Sequence, residues 1–250
     1  MRARHRHITK SLIEAACCFD SRFLTFSNND AVDTWADLSS NGRDATQAVS
    51  ANRPIFKTNV QGGNPVVRFD GSGDRLYTTT FSSPSAATAV MLAQANSWTL
   101  PGAYMSLAGH GYENGSDNTT VGISFVYLTP GNSEDWVGGD YLSFGSGFAS
   151  SSVPRAIGPA SSGSDFRVLS VALGPNKSTF NANGVRASTR VETTGSIAAF
   201  TRSAYIGGAA GDPSWLGDVA LVIYFGYELS NAMITRLEHA AAHSFKIPCA

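Results

Sequence analysis

Short apolar runs, either continuous or alternating with polar residues, recur along most of this 250-residue chain between turns rich in Gly, Asn and Ser. The run ATAVMLAQA is continuous and predicts a central strand buried on both faces, whereas FRVLSVALG alternates and predicts a strand with two distinct faces. The segment KSTFNANGVRAST is the expected hairpin partner of FRVLSVALG, and its Asn183-Gly184 pair is typical of a two-residue hairpin turn. This rhythm predicts an all-β fold.

One α-helix is predicted, close to the end of the chain. Ser230 is a suitable N-cap, and apolar residues recur at helical spacing over residues 231–245. Charged residues make up only 15% of the chain, which suits short strands and turns better than a helical bundle. Because no repeat and no linker divides the sequence, we predict a single domain over residues 15–250, preceded by an arm with a short helix over residues 1–14.

The stretch VDTWADLSSNGRDATQ, residues 32–47, combines a tryptophan, three aspartates and an Asn-Gly pair. Asn41 and Gly42 predict a tight turn, and Trp35 is expected to pack in or beside the core. Three aspartates are expected to accept turn amide hydrogens or to face water: Asp33, Asp37 and Asp44. Calcium would need several oxygens converging on one point, which three scattered aspartates do not indicate.

The same stretch, V-x-x-W-x-D-x-S-x-N-G-x-x-A-x-Q, begins a series of motifs that resembles the LamG-like jelly-roll family of the concanavalin A-like lectin and glucanase superfamily. The later motifs are, in order, Arg53-Pro54-Ile55-Phe56, NPVVRFDG (residues 64–71) with Asp74 and Leu76, FNANGV (180–185), YIGG (205–208), and WLGDV (215–219) through Leu229-Ser230. The resemblance covers about residues 15–247. It implies an antiparallel β-sandwich of two curved sheets, with a short N-terminal arm and one C-terminal α-helix.

No catalytic pattern is evident in the sequence. Glucanases of that superfamily carry E-x-D-x-E or E-x-D-x-x-E on one strand, so that alternate carboxylates flank one glycosidic bond. No such run occurs here, and Glu134-Asp135 are adjacent, which would place them on opposite faces of a strand. A G-x-S-x-G motif, a phosphate loop and paired C-x-x-C motifs are also missing. We therefore predict that the chain is not an enzyme.

The best candidate for a ligand site is the segment NSEDWVGGDYLSFGSGF. Its aromatic and acidic residues are Asp135, Trp136, Asp140 and Tyr141. An aromatic platform beside hydrogen-bonding groups is a typical arrangement for binding a sugar. The alternative interpretation is that Trp136 and Tyr141 pack the rim of the core, because aromatic side chains most often serve burial.

Calcium is the only cofactor for which the sequence and the resemblance offer a candidate site. The loop over residues 110–118 concentrates oxygen ligands, and some LamG-like domains bind calcium at the rim of the sandwich. The candidate ligands are Glu113, Asn114 and Asp117. A solvated turn explains this loop equally well. His239 and His243 have metal-ligand spacing on the predicted helix, but the sequence offers no third ligand for zinc.

The opening decapeptide MRARHRHITK is basic, with four Lys or Arg residues and no acid. Its candidate docking residues are Arg2, Arg4, Arg6 and Lys10. Such an arm fits an acidic protein groove, or it is a solvated tail, and its few charges predict only weak, salt-sensitive contact with nucleic acid. With three cysteines, no evident secretion signal and no membrane-spanning run, we expect folding in the cytoplasm with reduced thiols.

Two functions fit these observations. The first is a non-enzymatic structural, decoration or attachment protein of a virion, most plausibly of a bacteriophage, as the resemblance implies. The basic arm would dock it to a neighbouring coat protein or to copies of itself, and the sandwich would contact host-surface glycans. The second is a free carbohydrate-binding module or lectin, with or without calcium. The first function depends on residues 1–10, whereas the second depends on Trp136.

Overall fold

The computed structural model describes residues 14–83, 86–95, 104–110, 123–128, 135–140, 165–174, 177–191, 200–208 and 214–249. In chain order the strands are β1 (Cys17–Asp20), β2 (Thr34–Trp35), β3 (Ala45–Thr46), β4 (Ile55–Gln61), β5 (Asn64–Asp70), β6 (Leu76–Tyr77), β7 (Phe81–Ser83), β8 (Ala87–Ala95), β9 (Tyr104–His110), β10 (Ile123–Leu128), β11 (Asp135–Asp140), β12 (Arg167–Gly174), β13 (Lys177–Ala182), β14 (Val185–Val191), β15 (Phe200–Arg202), β16 (Ala204–Ile206) and β17 (Leu216–Phe225). The helix is α1 (Asn231–Phe245).

These strands form two large antiparallel sheets and one small one. The eight-stranded sheet has the order β14-β13-β12-β8-β17-β5-β4, and β1 also pairs with β17. The seven-stranded sheet has the order β11-β10-β9-β16-β6-β3-β2, and β15 pairs with β7 in a two-stranded sheet. The predicted all-β fold of antiparallel sheets with a C-terminal helix is therefore confirmed. The predicted arm over residues 1–14 lies outside the described part of the chain, apart from its last residue, Glu14.

The two large sheets pack against each other through one buried hydrophobic cluster. Phe19 and Phe69 enter this cluster from the eight-stranded sheet, and Trp35 and Ile206 enter it from the seven-stranded sheet. The Trp35 side chain is 1% exposed, and its ring meets the Phe19 ring edge-on with 6.0 Å between centroids. Removing this apolar area from water is the main stabilising term of such a sandwich. The prediction that Trp35 packs in the core is confirmed.

A second hydrophobic cluster lies on the other face of the eight-stranded sheet, beneath α1. The helix contributes Ile234, Leu237 and Phe245 to it. Along β8, Met91 belongs to the cluster between the sheets and Leu92 belongs to the cluster beneath the helix. The continuous apolar run of this strand is thus explained, because both of its faces are buried.

Both ends of α1 are tied to the rest of the fold. At its start the Ser230 hydroxyl accepts a hydrogen bond from the first turn, as an N-cap does. At its end the side-chain amide of Gln61 donates to the Phe245 carbonyl at 3.0 Å, and that of Asn64 donates to the Ser244 carbonyl at 3.1 Å. The β4–β5 hairpin therefore satisfies carbonyls that a helix end leaves unpaired.

The hairpin between β13 and β14 turns at Asn183 and Gly184, as predicted. Both residues have positive φ, 50° and 82°, which is the requirement of the turn type that matches strand twist. The β12 strand pairs with β13 on one side and with β8 on the other. The two alternating faces predicted for β12 are confirmed, because Leu169 joins the cluster between the sheets and Val168 joins the one beneath the helix.

Residues 32–47 form a turn organised by one carboxylate. Asp37 accepts hydrogen bonds from the backbone amides of Cys18 and Arg43 at 2.8 and 2.9 Å, and two more from the serine that follows two residues later. Asp44 in turn accepts from the Asp37 amide at 2.8 Å, and the Asp33 side chain is 50% exposed. The structural interpretation of this stretch is confirmed, since turn chemistry accounts for its aspartates.

The three cysteines are free in the described structure. Cys17 and Cys18 are fully buried on opposite faces of β1, one in each hydrophobic cluster. Burial raises the pKa of both thiols well above the ordinary value, so both remain protonated. The described part of the chain contains no helix with the length and hydropathy needed to traverse a bilayer.

Candidate functional site

The outer face of the seven-stranded sheet is the candidate site. Its inner face is filled by the cluster between the sheets, and α1 packs on the other sheet, against β12 and β8. Within the described ranges no helix lies over this outer face. The other three large sheet faces serve burial, and the part of this outer face that a ligand can reach is its end at β6, β3 and β2, where the residues are partly or fully exposed.

The strand register defines which residues occupy this outer face. Leu76 and Ile206 point into the core, so the neighbouring positions in β6 and β16 point outward. Tyr205 pairs directly with Tyr77, Tyr77 with Thr46, and Thr46 with Thr34. We call this set the outer tyrosine row: Thr34, Thr46, Tyr77 and Tyr205.

Exposure changes along the outer tyrosine row. Thr46 is exposed, Thr34 and Tyr77 are half-buried, and Tyr205 is 1% exposed. Tyr77 therefore presents part of its ring at the surface while its hydroxyl oxygen is buried. An aromatic ring with a threonine on the neighbouring strand offers the combination of apolar and hydrogen-bonding contact that a sugar ring requires.

The loops beside the row are held by Gln47. Its side-chain amide donates to the Arg75 carbonyl at 2.9 Å, and its side-chain oxygen accepts from the Val49 amide at 3.0 Å. The Arg53 guanidinium donates to the Gln47 carbonyl at 2.9 Å and lies 4.0 Å from the Asp33 carboxylate. These contacts fix the segments that follow Thr46 and precede Tyr77. The row is thus organised before any ligand arrives.

A carboxyl group with a raised pKa lies in the turn after β5. Asp74 is 4% exposed and accepts a hydrogen bond from the Asp70 amide at 3.0 Å. Burial, reinforced by the charge of Asp70, raises the pKa of Asp74 to about 6. A raised pKa is what a general acid needs, but this carboxyl is buried and bonded to its own turn. Its role in the structure is therefore to hold the turn between the two sheets.

His110 joins the seven-stranded sheet to the two-stranded sheet. Its ring stacks on Phe81 at 3.8 Å between centroids, and its Nε2 lies 3.0 Å from the Arg202 carbonyl oxygen and 3.3 Å from that of Phe81. The Arg43 guanidinium lies 4.4 Å from the centre of the Phe81 ring. Burial lowers the pKa of His110 to about 4, so the imidazole is neutral at physiological pH. No sequence pattern had singled out this contact.

The residues predicted for a glycan site fall at the edge of the seven-stranded sheet. Asp135, Trp136 and Asp140 lie in β11, the outermost strand, and Tyr141 lies outside the described residues. In the ladder with β10, Trp136 stands opposite Tyr127. Adjacent strand positions alternate between faces, so Asp135 takes one face and Trp136 and Asp140 take the other.

The same register relates β11 to the outer tyrosine row. Successive cross-strand pairs connect Tyr205 in β16, through one residue each in β9 and β10, to Gly139 in β11. Asp135 therefore occupies a position on the outer face, whereas Trp136 and Asp140 occupy inner-face positions. The three predicted residues that belong to β11 consequently do not share one face of the strand. A sugar site at Trp136 stays a prediction.

Two further sets of predicted residues lie outside the described part of the chain. The calcium candidates are Glu113, Asn114 and Asp117, and the arm residues are Arg2, Arg4, Arg6 and Lys10. Among the residues that the structure does describe, no group of three or more His, Cys, Asp or Glu side chains is placed to hold a metal ion. Calcium binding and docking through the arm both stay predictions.

Sequence reasoning missed the outer tyrosine row. Its residues belong to strands of two or three residues, which are too short to show an alternating pattern. The row is assembled by pairing between strands that are far apart in the sequence. The one available signal is that Tyr77 and Tyr205 each stand in or beside a motif of the resemblance, at Leu76 and at residues 205–208.

Comparisons with solved structures find a similar fold within several glycoside hydrolase structures. The chain is similar to Trypanosoma rangeli sialidase in complex with the inhibitor DANA, with a TM-score of 0.59 and 13% identity over 94% of this chain and 37% of the sialidase chain. It is similar to a GH54 α-L-arabinofuranosidase soaked with a cyclic sulfate inhibitor, with a TM-score of 0.60 and 10% identity over 86% of this chain and 51% of that one. This chain thus spans about a third of the sialidase and about half of the arabinofuranosidase.

A third similar structure is an isolated domain. Domain 4 of a GH43 extracellular arabinanase from Geobacillus stearothermophilus, in complex with arabinotriose, matches with a TM-score of 0.56 and 11% identity. The match covers 85% of this chain and 100% of that domain. No protein-family model matches the sequence, and no curated protein matches it either. At these identities the likeness establishes the fold, a β-sandwich of the kind present in glycoside hydrolase structures.

The prediction that the chain is not an enzyme is contradicted by these comparisons. The similar structures are those of a sialidase and of GH54 and GH43 glycoside hydrolases. For glycosidase chemistry the prediction rested on the missing E-x-D-x-E or E-x-D-x-x-E run, which tests only for a pair of carboxylates on one strand. Sialidases use a tyrosine nucleophile instead, so a missing glutamate pair does not exclude glycosidase chemistry.

Proposed function

We propose that this chain is a carbohydrate-binding β-sandwich and that the outer tyrosine row contacts the sugar. The observation that carries the proposal is the accessible end of the outer face of the seven-stranded sheet, where the partly exposed Tyr77 lies between the exposed Thr46 and the buried Tyr205. The arabinanase domain in complex with arabinotriose supports the proposal, because the match covers the whole of that domain and 85% of this chain.

The chemistry of the row suits a neutral saccharide. The apolar C–H face of a sugar ring stacks on an aromatic ring, and its hydroxyl groups exchange hydrogen bonds with polar side chains at the ring edge. Tyr77 supplies the ring, and the hydroxyls of Thr46 and Thr34 lie in line with it on neighbouring strands. One partly exposed ring predicts modest affinity, on the order of a millimolar to micromolar Kd.

The sandwich also fits a role beside glycoside hydrolysis. It matches about a third of the sialidase chain and half of the arabinofuranosidase chain. We propose that the sandwich binds the glycan on which hydrolysis takes place. Assays with arabinotriose and with sialic acid glycosides should therefore measure the release of sugar as well as binding.

Replacing Tyr77 by alanine is expected to weaken saccharide binding by about tenfold or more, because the exposed ring face is removed at a cost of ~1.4 kcal/mol. Titration calorimetry with arabinotriose and with a panel of other oligosaccharides measures the change. Tyr227→Ala is the matched control, since Tyr227 is 40% exposed on the loop before α1 and should not affect binding.

Two results would contradict the role of the row. Tyr77→Ala would bind every saccharide as the unmodified protein does, or only Trp136→Ala would lose binding. The second result would instead place the sugar at β11, where the sequence predicted it. Thermal unfolding of each variant checks that a loss of binding does not reflect a loss of the fold.

We further propose, as a second function, that the protein is a component of a larger assembly such as a virion. The charge of residues 1–10 supports this proposal, because four cationic side chains without an acid suit an acidic groove on a neighbouring protein. Removing residues 1–14 is expected to abolish a defined oligomer or attachment to a particle, measured as mass by light scattering. Equal masses with and without the arm, alone and with particles, would overturn the proposal.

A further inference from the structure

A buried glutamate lies in the middle of α1, against the eight-stranded sheet. Glu238 is 0% exposed, and it occupies the same helix face as Ile234, Ala241 and Phe245, which line the cluster beneath the helix. A buried carboxylate is strongly disfavoured unless hydrogen bonds or an opposite charge compensate for its lost hydration. What surrounds this carboxyl therefore decides its state.

Three side chains meet at this point. The Ser170 hydroxyl on β12 donates to Glu238 Oε1 at 2.5 Å, and the Asn181 amide nitrogen on β13 donates to the Ser170 hydroxyl oxygen at 3.2 Å. The Asn181 side chain also lies beside the carboxyl, close enough to affect its pKa. Two buried oxygens in this group have no hydrogen-bond partner: Glu238 Oε2 and Asn181 Oδ1.

Counting hydrogens shows what this group lacks. The ring of Glu238, Ser170 and Asn181 has three contacts, and each contact needs one hydrogen atom. The serine hydroxyl supplies the hydrogen to Glu238 Oε1 and the asparagine amide supplies the hydrogen to Ser170, which leaves Glu238 Oε2 and Asn181 Oδ1 without a partner. A proton on Oε2 would donate to Asn181 Oδ1 and would pair both unsatisfied oxygens at once.

The count does not depend on how the asparagine amide is oriented. If its oxygen and nitrogen were exchanged, the nitrogen would donate to the carboxyl and the oxygen would face Ser170. The single serine hydrogen would then serve either the carboxyl or the amide oxygen, but not both. A protonated Glu238 donating to Ser170 again completes the ring. With the amide nitrogen on one neighbour and the amide oxygen on the other, three hydrogens are needed in either orientation, and Glu238 supplies the third.

We propose that Glu238 is held in the folded protein as a neutral carboxylic acid, whose proton completes a hydrogen-bonded ring with Ser170 and Asn181 and makes the docking of α1 depend on pH. Burial independently favours this state, because it raises the pKa of Glu238 above the ordinary 4.5. The hydrogen bonds from Ser170 and Asn181 lower the pKa of Glu238, but by less than burial raises it.

No described cation is positioned to neutralise Glu238 within the buried group. Residues that face it from β12, β13 and β8 are uncharged: Val168, Ser170, Thr179, Asn181, Thr88, Val90 and Leu92. Arg186 on β14 stands opposite Asn181 in the ladder but is exposed. On the helix itself Arg236, His239 and His243 are exposed, and His239 lowers the pKa of Glu238 least of the contributing groups.

The sign of the pH dependence follows from this protonation. A carboxyl whose pKa is raised on folding stabilises the protein while it is protonated, and that contribution is lost as the pH rises from about 4.5 through the folded value. Asp74 acts in the same direction up to about pH 6, and neutral His110 acts in the opposite direction as the pH falls towards about 4. A variant at Glu238 is needed to isolate the contribution of this residue to the pH dependence of stability.

The decisive variant is Glu238→Gln, because a glutamine amide carries the third hydrogen of the ring at every pH. At about pH 8 we expect its Tm to exceed that of the unmodified protein by about 3 °C, and at about pH 5 we expect the difference to vanish. Glu228→Gln is the control. It removes a carboxylate from the loop just before α1 and should show no such convergence.

A spectroscopic measurement tests the same proton without relying on stability. Infrared difference spectra, unmodified protein minus Glu238→Gln, should contain the carbonyl stretch of a protonated carboxylic acid near neutral pH. The proposal fails if this band is missing at neutral pH. It also fails if Glu238→Gln leaves the pH profile of Tm parallel to that of the unmodified protein.

Discussion

Replacing Gly207 by alanine is expected to lower the free energy of unfolding by about 4 kcal/mol or more. A Cβ at this position would lie 2.2 Å from two carbons of the Phe69 ring and 2.9 Å from the Asp74 carbonyl oxygen. Phe69 is fully buried between the sheets, so its ring has no free space to enter. Gly207 also has a φ of +90°, which side-chain-bearing residues rarely adopt. Urea unfolding followed by tryptophan fluorescence measures the loss.

The variant Gly42→Ala separates the cost of a positive φ from the cost of a steric clash with Phe69. Gly42 has a φ of +62°, but a Cβ there would meet no atom within 4 Å, so only the backbone term of about 1–2 kcal/mol applies. If Gly207→Ala costs no more than Gly42→Ala, the Phe69 ring yields to the new methyl group. The tight approach of β16 to β5 would then not be a constraint on the sandwich.

The parts of the fold that sequence reasoning predicted are those specified by local pattern. The run of β8, the Asn183-Gly184 turn and the capped helix after Ser230 each carry their signal within a few residues. Alternation and turn chemistry act over such short distances, and here tertiary packing agreed with them. These elements were therefore found at the predicted places.

The features that sequence reasoning missed depend on pairing between strands that are far apart in the sequence. Strands β5 and β6 follow each other along the chain with only a short turn between them, yet β5 belongs to the eight-stranded sheet and β6 to the seven-stranded one. No local pattern states which sheet a two-residue strand joins. The outer tyrosine row exists only because β16, β6, β3 and β2 lie side by side, so it could not be seen before the topology was known.

Glu238 shows a different kind of omission, because its signal was present in the sequence. It follows Ile234 by four residues and precedes Phe245 by seven, which is the spacing of the buried helix face. A glutamate on such a face is either paired or protonated. Sequence reasoning did not single it out, because it looked for carboxylates only as pairs on one strand. The same focus on paired carboxylates led to the incorrect prediction that the chain is not an enzyme.

Asp37→Ala is expected to cost about 3–4 kcal/mol of unfolding free energy, because one carboxylate accepts four hydrogen bonds there. The most costly loss is at Cys18, whose backbone amide lies in a fully buried strand that pairs only with β17 in the described structure. Without Asp37 that amide has lost its acceptor at 2.8 Å, and the edge of β1 opens. Chemical denaturation at constant pH measures the change.

Two variants in the same stretch make the result specific to the acceptor. Asp37→Asn keeps one acceptor oxygen and replaces the other with a donor, so about half of the loss should remain. Asp33→Ala removes a carboxylate that is 50% exposed and 4.0 Å from Arg53, and it should change stability by less than about 1 kcal/mol. Equal losses for Asp33→Ala and Asp37→Ala would mean that the charge of the stretch, rather than the hydrogen bonds of Asp37, holds β1 against the turn. The ordered loss predicted here would instead identify Asp37 as the residue that closes this edge of the sandwich.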